Sequence, residues 1–538
     1  MDRRSSLKAL CVAAATPSIA AQAAILPRNF APRDYAGVVP ELYAAVARPP
    51  AYTDAIIIGS GFGGAISALR LAQAGVKSTI LERGFQWPSD PNRDIFTQDV
   101  LPDGRGFWFR DKSKTVFGLP GTPIDRFAGV MDVTEYDHID VWRGACVGGG
   151  SVVFTGAMPQ PARNYFDAIF QGSVNYDEMN AVFYPRVRQM LRLSPMPADI
   201  YGSAPFGHSR RWDASVRKAG YTPRPVDGVW NWDVVRAELR NTSRDSCTVG
   251  RSNLGNSNGA KFDLNQNYLL QAKATGNAKI YPGHEVKNIY FDGSRYVVDT
   301  VKLHPNGTVL DRYTITADKL IMAAGSVGTS ELLVRARATG GMPQLNEFVG
   351  AGWGTNGDSS TSRSLAFSEG VTLGAACASM IHDTSRGLPV TLENWYSPGI
   401  PLNVGIDASL GMVLDLENRA KFVYDASVDR VKLMWPANGN DAVVAATRAL
   451  NNRIAAANFS VPGVPFLVSD VFAGFTAHPL GGVVLGKATD NFGRVKGYKG
   501  LYVMDGATIP GSTGAVNPAL TISALAERNI AAVIAAGG

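Results

Sequence analysis

The chain has 538 residues, of which 45% are hydrophobic and 18% charged, a balance typical of a globular protein with a large core. This length predicts two domains or one large intertwined unit. The formal net charge is +6 and no run of lysine or arginine occurs, which argues against a nucleic-acid partner and favours an ordinary mixed surface.

The first 23 residues have the pattern of an export signal. Arg3 and Arg4 precede a mild apolar stretch, residues 9–20, and Ala21-Gln22-Ala23 offers an A-x-A cleavage site. About twelve apolar residues are too few to span a bilayer. The pattern predicts a twin-arginine signal peptide and a periplasmic or secreted protein, and a disordered basic tail is the alternative.

The most informative stretch is residues 55–84, which begins with four apolar residues that predict a short buried strand. Gly59, Gly61 and Gly64 follow in G-x-G-x-x-G spacing. Such glycines make a tight turn, admit a pyrophosphate and let a helix touch the strand. The free N–H groups at the start of the following helix would bind the phosphates.

The residues after these glycines support a dinucleotide-binding unit. Apolar residues at helical intervals predict a helix that Gly75 caps, and a second strand from Lys77 to Leu81 leads to Glu82. Glu82 is placed to accept hydrogen bonds from a ribose diol, and an exposed surface charge is the alternative interpretation of this residue. The order and spacing of the strand, the helix, the second strand and Glu82 predict that the chain binds a dinucleotide.

Three cysteines remain once the signal peptide is removed, namely Cys146, Cys247 and Cys377. Their odd number and wide spacing do not predict a disulfide framework. The sequence has no C-x-x-C motif and no His/Cys cluster, so it predicts neither a zinc site nor a thiol redox centre. Redox chemistry would then depend on the bound dinucleotide.

The middle of the chain predicts loops and strands. Residues 90–125 indicate surface loops, and Gly148 to Gly150 suit either a tight turn or backbone pressed against a flat or charged ligand. Residues 284–325 predict a three-stranded meander followed by a helix near Thr329 to Arg337. Residues 359–465 predict a large antiparallel sheet of strands alternating with loops.

The C-terminal part carries a second group of motifs. His478 begins the segment HPLGG, and a strand ends at Asp505 and Gly506. Asn517 is a good N-cap and Pro518 suits the first position of a helix that reaches almost to the terminus. A helix N-terminus beside glycine-rich backbone suits an anion or a carbonyl that becomes electron-rich.

Together these motifs resemble a known family. The chain resembles the glucose–methanol–choline (GMC) oxidoreductases, which bind FAD, in the motifs GSGFGGA with Glu82, VGGGS, AAGS, AHPLGG, YVMDG and AVNPALTISALAERN. It is similar to the bacterial cholesterol oxidases with non-covalent FAD in the segments ELLVRARATG, VGAGWGTNG, FVYDASVDRVKLMW and HPLGGVVLGKATDNFGRV. The resemblance covers about residues 52 to 538.

The resemblance implies an α/β fold with two domains. A Rossmann-like FAD-binding domain is expected from discontinuous segments, residues 51–90, 255–350 and 485–538. A substrate domain is expected from residues 91–254 and 351–484, with a large, mainly antiparallel, six-stranded sheet covered by helices.

The resemblance also implies the site. His478 matches the active-site histidine that handles the hydroxyl proton, Asn517 the active-site asparagine, and Glu393 in TLENWY the carboxylate that moves a proton within a steroid. No metal is implied. The expected FAD-binding residues are Gly59, Gly61, Phe62, Gly63, Gly64, Glu82, Arg83, Gly144, Gly148, Gly149, Gly150, Ser151, Val286, Ala324, Gly325, Asp505, Gly506, Asn517 and Pro518.

Three features depart from the family pattern. Phe154 and Thr155 stand where cholesterol oxidases have Asn-Gly, the loop between Trp108 and Asp125 is shorter than the substrate-covering loop, and Val141 stands where covalent-flavin relatives have histidine. The fold and FAD are therefore better supported than cholesterol itself.

The resemblance implies a secreted FAD alcohol oxidase that acts on a sterol 3β-hydroxyl, forms hydrogen peroxide and isomerises the Δ5 double bond to Δ4. Its expected partners are a hydrophobic hydroxylated substrate, oxygen and, transiently, a membrane surface, with the protein a monomer. The alternatives are an FAD dehydrogenase with another acceptor and a non-catalytic flavin-binding protein, against which His478 and Asn517 argue.

Overall fold

The computed structural model describes residues 33–99, 101–364, 374–385, 387–396, 406–463 and 468–537. The predicted signal peptide, residues 1–23, lies outside the described residues. The strands are β1 Tyr52–Ile58, β2 Ser78–Glu82, β3 Met131–Tyr136, β4 Ile139–Gly144, β5 Arg224–Pro225, β6 Ala278–Pro282, β7 His284–Phe291, β8 Tyr296–Leu303, β9 Val309–Met322, β10 Ala351–Trp353, β11 Asp358–Ser364, β12 Ser379–Asp383, β13 Val390–Trp395, β14 Ile406–Val413, β15 Ala420–Asp425, β16 Arg430–Leu433, β17 Val461–Pro462, β18 Val471–Phe472, β19 Phe475–Thr476 and β20 Leu501–Val503.

The α-helices are α1 Tyr35–Val38, α2 Phe62–Gln73, α3 Gly150–Val153, α4 Arg163–Phe170, α5 Tyr176–Glu178, α6 Tyr184–Met190, α7 Ala198–Tyr201, α8 Gly207–Lys218, α9 Trp232–Leu239, α10 Tyr268–Ala274, α11 Gly325–Ala338, α12 Asp441–Ala457 and α13 Ala519–Ala535. Short 3₁₀ turns occupy Pro40–Tyr43, Ala204–Phe206, Cys247–Val249, Leu264–Gln266 and Gly506–Thr508, and one π-helical turn occupies Met179–Phe183.

The opening unit β1–α2–β2 forms as the sequence predicts. The apolar end of β1 is buried and pairs in parallel with β2, from Ala55 opposite Ser78 to Ile58 opposite Leu81. Gly75 follows α2 with φ +81°, a left-handed conformation that favours glycine after the end of a helix. Helix α2 packs with α10 and α13 over one face of the sheet, in the largest apolar cluster of the protein.

Within the described residues, seven strands form the first sheet in the order β6-β2-β1-β9-β8-β7, with β20 beside β9. Strands β6, β2, β1, β9 and β20 run in parallel, and β7, β8 and β9 form the predicted meander. The first part of β9 pairs with β8 and its last three residues pair with β20. Loops at the carboxyl ends of β1, β9 and β20 therefore meet at one edge, where open α/β sheets bind ligands.

The second sheet is antiparallel and has, within the described residues, the order β17-β11-β14-β13-β12-β5, with β18 beside β11. It has seven strands where the resemblance implies six. Helices α8 and α12 cover one face, on which Trp212 donates a hydrogen bond to Ser409. The strand register places Asp358 and Glu393 on the opposite face, because Glu393 pairs with Leu410 and Leu410 with Ser360.

Helix α12 was not predicted, because residues 359–465 indicate strands and loops only. Helix α11 begins at Gly325, four residues before the predicted start. The family-level fold prediction, a Rossmann-like unit with a large antiparallel sheet, is confirmed, whereas the exact domain boundaries stay a prediction.

Residues 90–99 and 101–125 are loops, as predicted, but only part of this segment lies at the surface. Ile95, Phe96, Phe107 and Phe117 are buried in an apolar cluster with Trp395 of β13, so hydrophobic burial holds this segment against the second sheet. In the part of the chain that the structure describes, no helix is both long and apolar enough to cross a bilayer. The same residues contain no group of three or more side chains able to hold a metal ion, and Cys146, Cys247 and Cys377 are free and buried.

Candidate active site

A cavity of about 820 Å³ lies at the edge of the first sheet, and His478 in its wall contacts Asp358 of the second sheet. The glycine turn after β1 forms one wall. A side chain at Gly59 would place its Cβ 2.3 Å from the carbonyl oxygen of Ala323, and one at Gly64 would place it 2.1 Å from the oxygen of Gly59. A Cβ at Gly61 would meet no atom within 4 Å. Gly59 and Gly64 are therefore required for packing, whereas Gly61 leaves open space beside the helix N-terminus.

Glu82 fixes the loop at the end of β2. Its Oε2 accepts hydrogen bonds from the backbone N–H of Ser60 at 3.0 Å and from its hydroxyl at 2.7 Å, and its Oε1 accepts from the N–H of Gly84 at 2.8 Å. Oε1 accepts only one hydrogen bond and keeps a second lone pair, so Glu82 retains an acceptor for a diol at the cavity wall.

The glycine run that the sequence singled out forms a tight turn and also faces the cavity. Gly148 and Gly149 have φ of +96° and +52°, and a Cβ at Gly149 would lie 2.9 Å from Cα of Gly61. The two glycine segments thus pack directly against each other. Gly149 and Gly150 line the cavity.

Most of the predicted FAD-binding residues line this one cavity. They are Gly59, Gly61, Phe62, Gly63, Glu82, Arg83, Gly144, Gly149, Gly150, Val286, Ala324, Gly325, Asp505, Gly506, Asn517 and Pro518. Gly64, Gly148 and Ser151 lie behind the wall, where the Ser151 hydroxyl donates to the Gly148 carbonyl at 2.7 Å.

Asp505 joins two of the predicted segments. It accepts hydrogen bonds from the N–H of Gly325 at 2.9 Å, the N–H of Ala507 at 2.9 Å and the hydroxyl of Thr329 at 2.5 Å. Burial nevertheless raises the pKa of Asp505 to about 6. Its carboxylate ties the start of α11 to the end of β20 and so shapes the cavity floor.

His478 lies at the end of the cavity next to the second sheet, and its nearest charged partner is Asp358 of β11. Nδ1 of His478 lies 2.7 Å from Oδ1 of Asp358. Oδ2 of Asp358 accepts from Thr476 Oγ1 at 2.9 Å, Ala477 N at 2.9 Å and His478 N at 3.1 Å. Burial lowers the pKa of His478, but the charge and hydrogen bond of Asp358 outweigh burial and raise it overall. Sequence reasoning missed Asp358.

Glu393 and Asn517 form a second pair beside His478. Nδ2 of Asn517 donates to Oε2 of Glu393 at 3.3 Å, and Glu393 is only 2% exposed. Burial raises the pKa of Glu393 to about 7, although the Asn517 hydrogen bond and the charge of His478 lower it. Among the described residues, Oε1 of Glu393 and Oδ1 of Asn517 have no hydrogen-bond partner. Glu393 itself does not line the cavity, and Asn517 connects it to that space.

The predicted capping role of Asn517 is wrong. Helix α13 begins at Ala519, its N-terminus has no side-chain cap, and the carbonyl of Pro518 accepts the first hydrogen bond, from Ile522 N, at 2.8 Å. The amide of Asn517 is engaged by Glu393 instead, a contact across the two sheets that outweighs the local preference.

Phe154 and Thr155 line the cavity, as expected from their place in the sequence. The Phe154 ring meets Phe62 edge-on, with 5.8 Å between centroids. Val141 is fully buried in β4 and does not line the cavity.

Comparison with known proteins identifies the family. Residues 54–350 and 424–526 match the two models described as GMC oxidoreductase. The chain belongs to the GMC oxidoreductases. It is therefore an FAD-dependent oxidoreductase, and the resemblance and the cofactor expected from the sequence are confirmed.

The chain is similar to several known proteins. A cholesterol oxidase of Acinetobacter baumannii is 25% identical over 88% of this chain and 93% of that protein. A cholesterol oxidase of Mycobacterium tuberculosis is 26% identical over 88% and 90%. The crystal structure of pyridoxine 4-oxidase from Mesorbium loti has the same fold, with a TM-score of 0.58 and 16% identity over 90% of this chain and 99% of that one.

The residues of the cavity fit FAD. The open space at Gly61 beside the N-terminus of α2 suits a pyrophosphate. Arg143 lines the cavity, and its buried Nε has no hydrogen-bond partner among the described residues, which leaves a donor for an anion. Glu82 would hold the ribose. His478 with its partner Asp358, and Asn517 with its partner Glu393, lie at the opposite end of the cavity. The flavin ring of FAD would lie there.

Proposed function

We propose that this GMC oxidoreductase is an oxidase of a sterol-like alcohol that converts a 3β-hydroxyl to the ketone, forms hydrogen peroxide and isomerises the Δ5 double bond to Δ4. The observation that carries the proposal is the pairing of His478 with Asp358 and of Glu393 with Asn517 at one end of the cavity. The similar cholesterol oxidases support a hydrophobic alcohol as substrate.

His478 is the base of the oxidation. Because the Asp358 carboxylate accepts only, Nδ1 of His478 carries the proton that they share, and Nε2 of the neutral ring is an acceptor. Bound FAD would supply the acceptor for the hydride of the alcohol carbon and the path for two electrons to oxygen. Nε2 of His478 takes the hydroxyl proton, and the resulting imidazolium is stabilised by Asp358.

Glu393 is the proton carrier of the isomerisation. In a 3-keto-Δ5 steroid the C4 proton is acidified by both the ketone and the alkene. A carboxyl with a pKa of about 7 accepts that proton and returns it at C6 near neutral pH. Asn517 donates to Oε2 of Glu393 and orients it, while the N-terminus of α13 beside Pro518 favours negative charge in the cavity.

The second candidate is an FAD dehydrogenase of the same family that passes electrons to another acceptor. Phe154 favours it, because a bulky ring in the cavity wall stands where the cholesterol oxidase pattern has asparagine and would alter access for oxygen. Export by residues 1–23, transient contact with a membrane surface that holds the sterol, non-covalent FAD and a monomeric state remain parts of the proposal.

The test is an aerobic assay of the FAD-loaded enzyme with a panel of Δ5-3β-hydroxysterols, simple aliphatic alcohols and aryl alcohols. The proposal expects ketone from sterols, with one hydrogen peroxide formed for each hydroxyl oxidised. Ketone formed only with an added dye or quinone would support the dehydrogenase. Turnover of the other alcohols without any sterol would overturn the substrate class.

A further inference from the structure

Lys261 carries a charge deep in the protein that the proposed mechanism does not use. It is 1% exposed, and its Nζ donates to the carbonyls of Val152 at 3.0 Å and Ser252 at 2.6 Å. An ammonium has three donors, and the ring centroid of Phe154 lies 5.6 Å from this Nζ. The charge is therefore held by two neutral carbonyls on one side and by an aromatic ring on the other.

No carboxylate forms a hydrogen bond with Lys261 among the described residues. Asp99 and Asp263 act on it only through space, as do the buried thiols of Cys146 and Cys247. Burying an ammonium without a bonded counter-charge is unfavourable, so this arrangement opposes stability. Burial lowers the pKa of Lys261 to about 7, although Asp99 and Asp263 raise it.

Phe154, which contacts this charge, also lines the FAD cavity. Phe154 packs on the large apolar cluster beside the cavity, and its ring meets Phe62 of α2 edge-on. The buried charge therefore lies behind a ring that forms part of the wall of the space that FAD would fill. An aromatic ring does not screen a charge as water does, and a buried positive charge favours negative charge placed nearby.

We propose that Lys261 acts through Phe154 as a tuning residue, and that its buried charge raises the affinity of the bound FAD for electrons and for anions. The inference rests on FAD and on the cavity wall, not on the identity of the alcohol. Failure of the sterol assay would therefore leave it standing, and its own failure would leave the sterol proposal standing.

The test compares wild-type holoenzyme with Lys261→Gln and Lys261→Arg. Glutamine keeps two N–H donors for the carbonyls of Val152 and Ser252 but carries no charge, whereas arginine stays charged at every pH used. Sulfite is the anionic probe, and its binding is read from the loss of flavin absorbance. The flavin reduction potential, measured against reference dyes, is the second readout. Neither readout depends on turnover.

At about pH 6, where Lys261 is protonated, wild type and the arginine variant should bind sulfite about tenfold more tightly than Lys261→Gln. At about pH 9, where Lys261 is neutral, the sulfite affinity of wild type should equal that of the glutamine variant and be weaker than that of the arginine variant. The reduction potentials should follow the same order. His478 and Glu393 titrate in all three proteins and cancel in these comparisons. Asp263 is coupled to the charge of Lys261, and Lys261→Arg keeps a positive charge beside it.

Equal sulfite affinities of wild type and Lys261→Gln at about pH 6 would overturn the inference, as would a difference that persists unchanged at about pH 9. A purely structural role of Lys261 predicts such a pH-independent difference. Where one variant does not fold, the comparison of wild type with the other still decides the question.

Discussion

Replacing Asp358 by asparagine should reverse the hydrogen bond that orients His478. Oδ2 of Asp358 accepts from three donors, the Thr476 hydroxyl and the N–H groups of Ala477 and His478. The asparagine oxygen must take that position, because an NH₂ group there would face three donors. The NH₂ group then points at Nδ1 of His478 and makes Nδ1 the acceptor, so that the proton moves to Nε2.

With the proton on Nε2, His478 no longer accepts the hydroxyl proton of the alcohol. A histidine held in the wrong tautomer loses roughly 10²- to 10⁴-fold in rate, or about 3 to 5 kcal/mol in the barrier. The pH dependence should change as well. The reaction needs neutral His478, so the wild-type rate rises with pH through a pKa above 6.5. Without the Asp358 charge, burial dominates and that rise moves to lower pH.

The assay is anaerobic stopped-flow reduction of the bound FAD by a saturating alcohol, measured across pH for wild type and Asp358→Asn. Asp415→Asn is the matched control, since Asp415 is also buried and accepts two backbone N–H bonds, but its carboxylate bonds to Glu417 and Asn418 instead of contacting His478. The control should reduce FAD at the wild-type rate. Reduction of Asp358→Asn at the wild-type rate with an unchanged pH profile would refute the reasoning.

Two further changes test the cofactor site and the buried acid. Gly61→Val should purify without yellow colour, because its side chain would enter the space that suits the pyrophosphate; a yellow protein would contradict this. Glu393→Gln should still reduce FAD but release the unconjugated ketone, seen as peroxide without the enone absorbance; loss of both signals together would place Glu393 in oxidation or folding. Since burial raises the Glu393 pKa from 4.5 to about 7, the Glu393 carboxyl should cost wild type roughly 3 kcal/mol of stability as pH rises through that range. Asp505 titrates in both proteins, so thermal unfolding at both ends of the range should show a loss that is larger by about this amount in wild type than in Glu393→Gln, and equal losses would contradict it.

The local parts of the fold were predictable from sequence because their causes are local. The turn at Gly59 follows from spacing and from contacts within one βαβ unit. The meander β7–β9 follows from turn signals between apolar strands. Helix α12 was not predicted, because its apolar residues are mostly small and fall within a region rich in strands.

The candidate active site depends on contacts between residues far apart in the chain, which the sequence does not predict. Asp358 meets His478 across 120 positions of the chain, and no local pattern marks an aspartate that will bind a histidine so far away. Asn517 carries a strong local signal for a helix cap, yet Glu393, 124 positions away, takes its amide. Glu393 was placed by family resemblance alone. Lys261 carries no sequence signal, since only the folded chain brings its charge behind Phe154.

The central claim, that His478 takes the hydroxyl proton while FAD takes the hydride, is tested most directly by one anaerobic mixing experiment. FAD-loaded wild type and His478→Ala are mixed with a Δ5-3β-hydroxysterol, and the loss of flavin absorbance is followed in time. The account predicts rapid bleaching in wild type and bleaching slowed by roughly 10² or more in His478→Ala, with FAD still bound. Bleaching of both proteins at the same rate, or none in wild type, would contradict it.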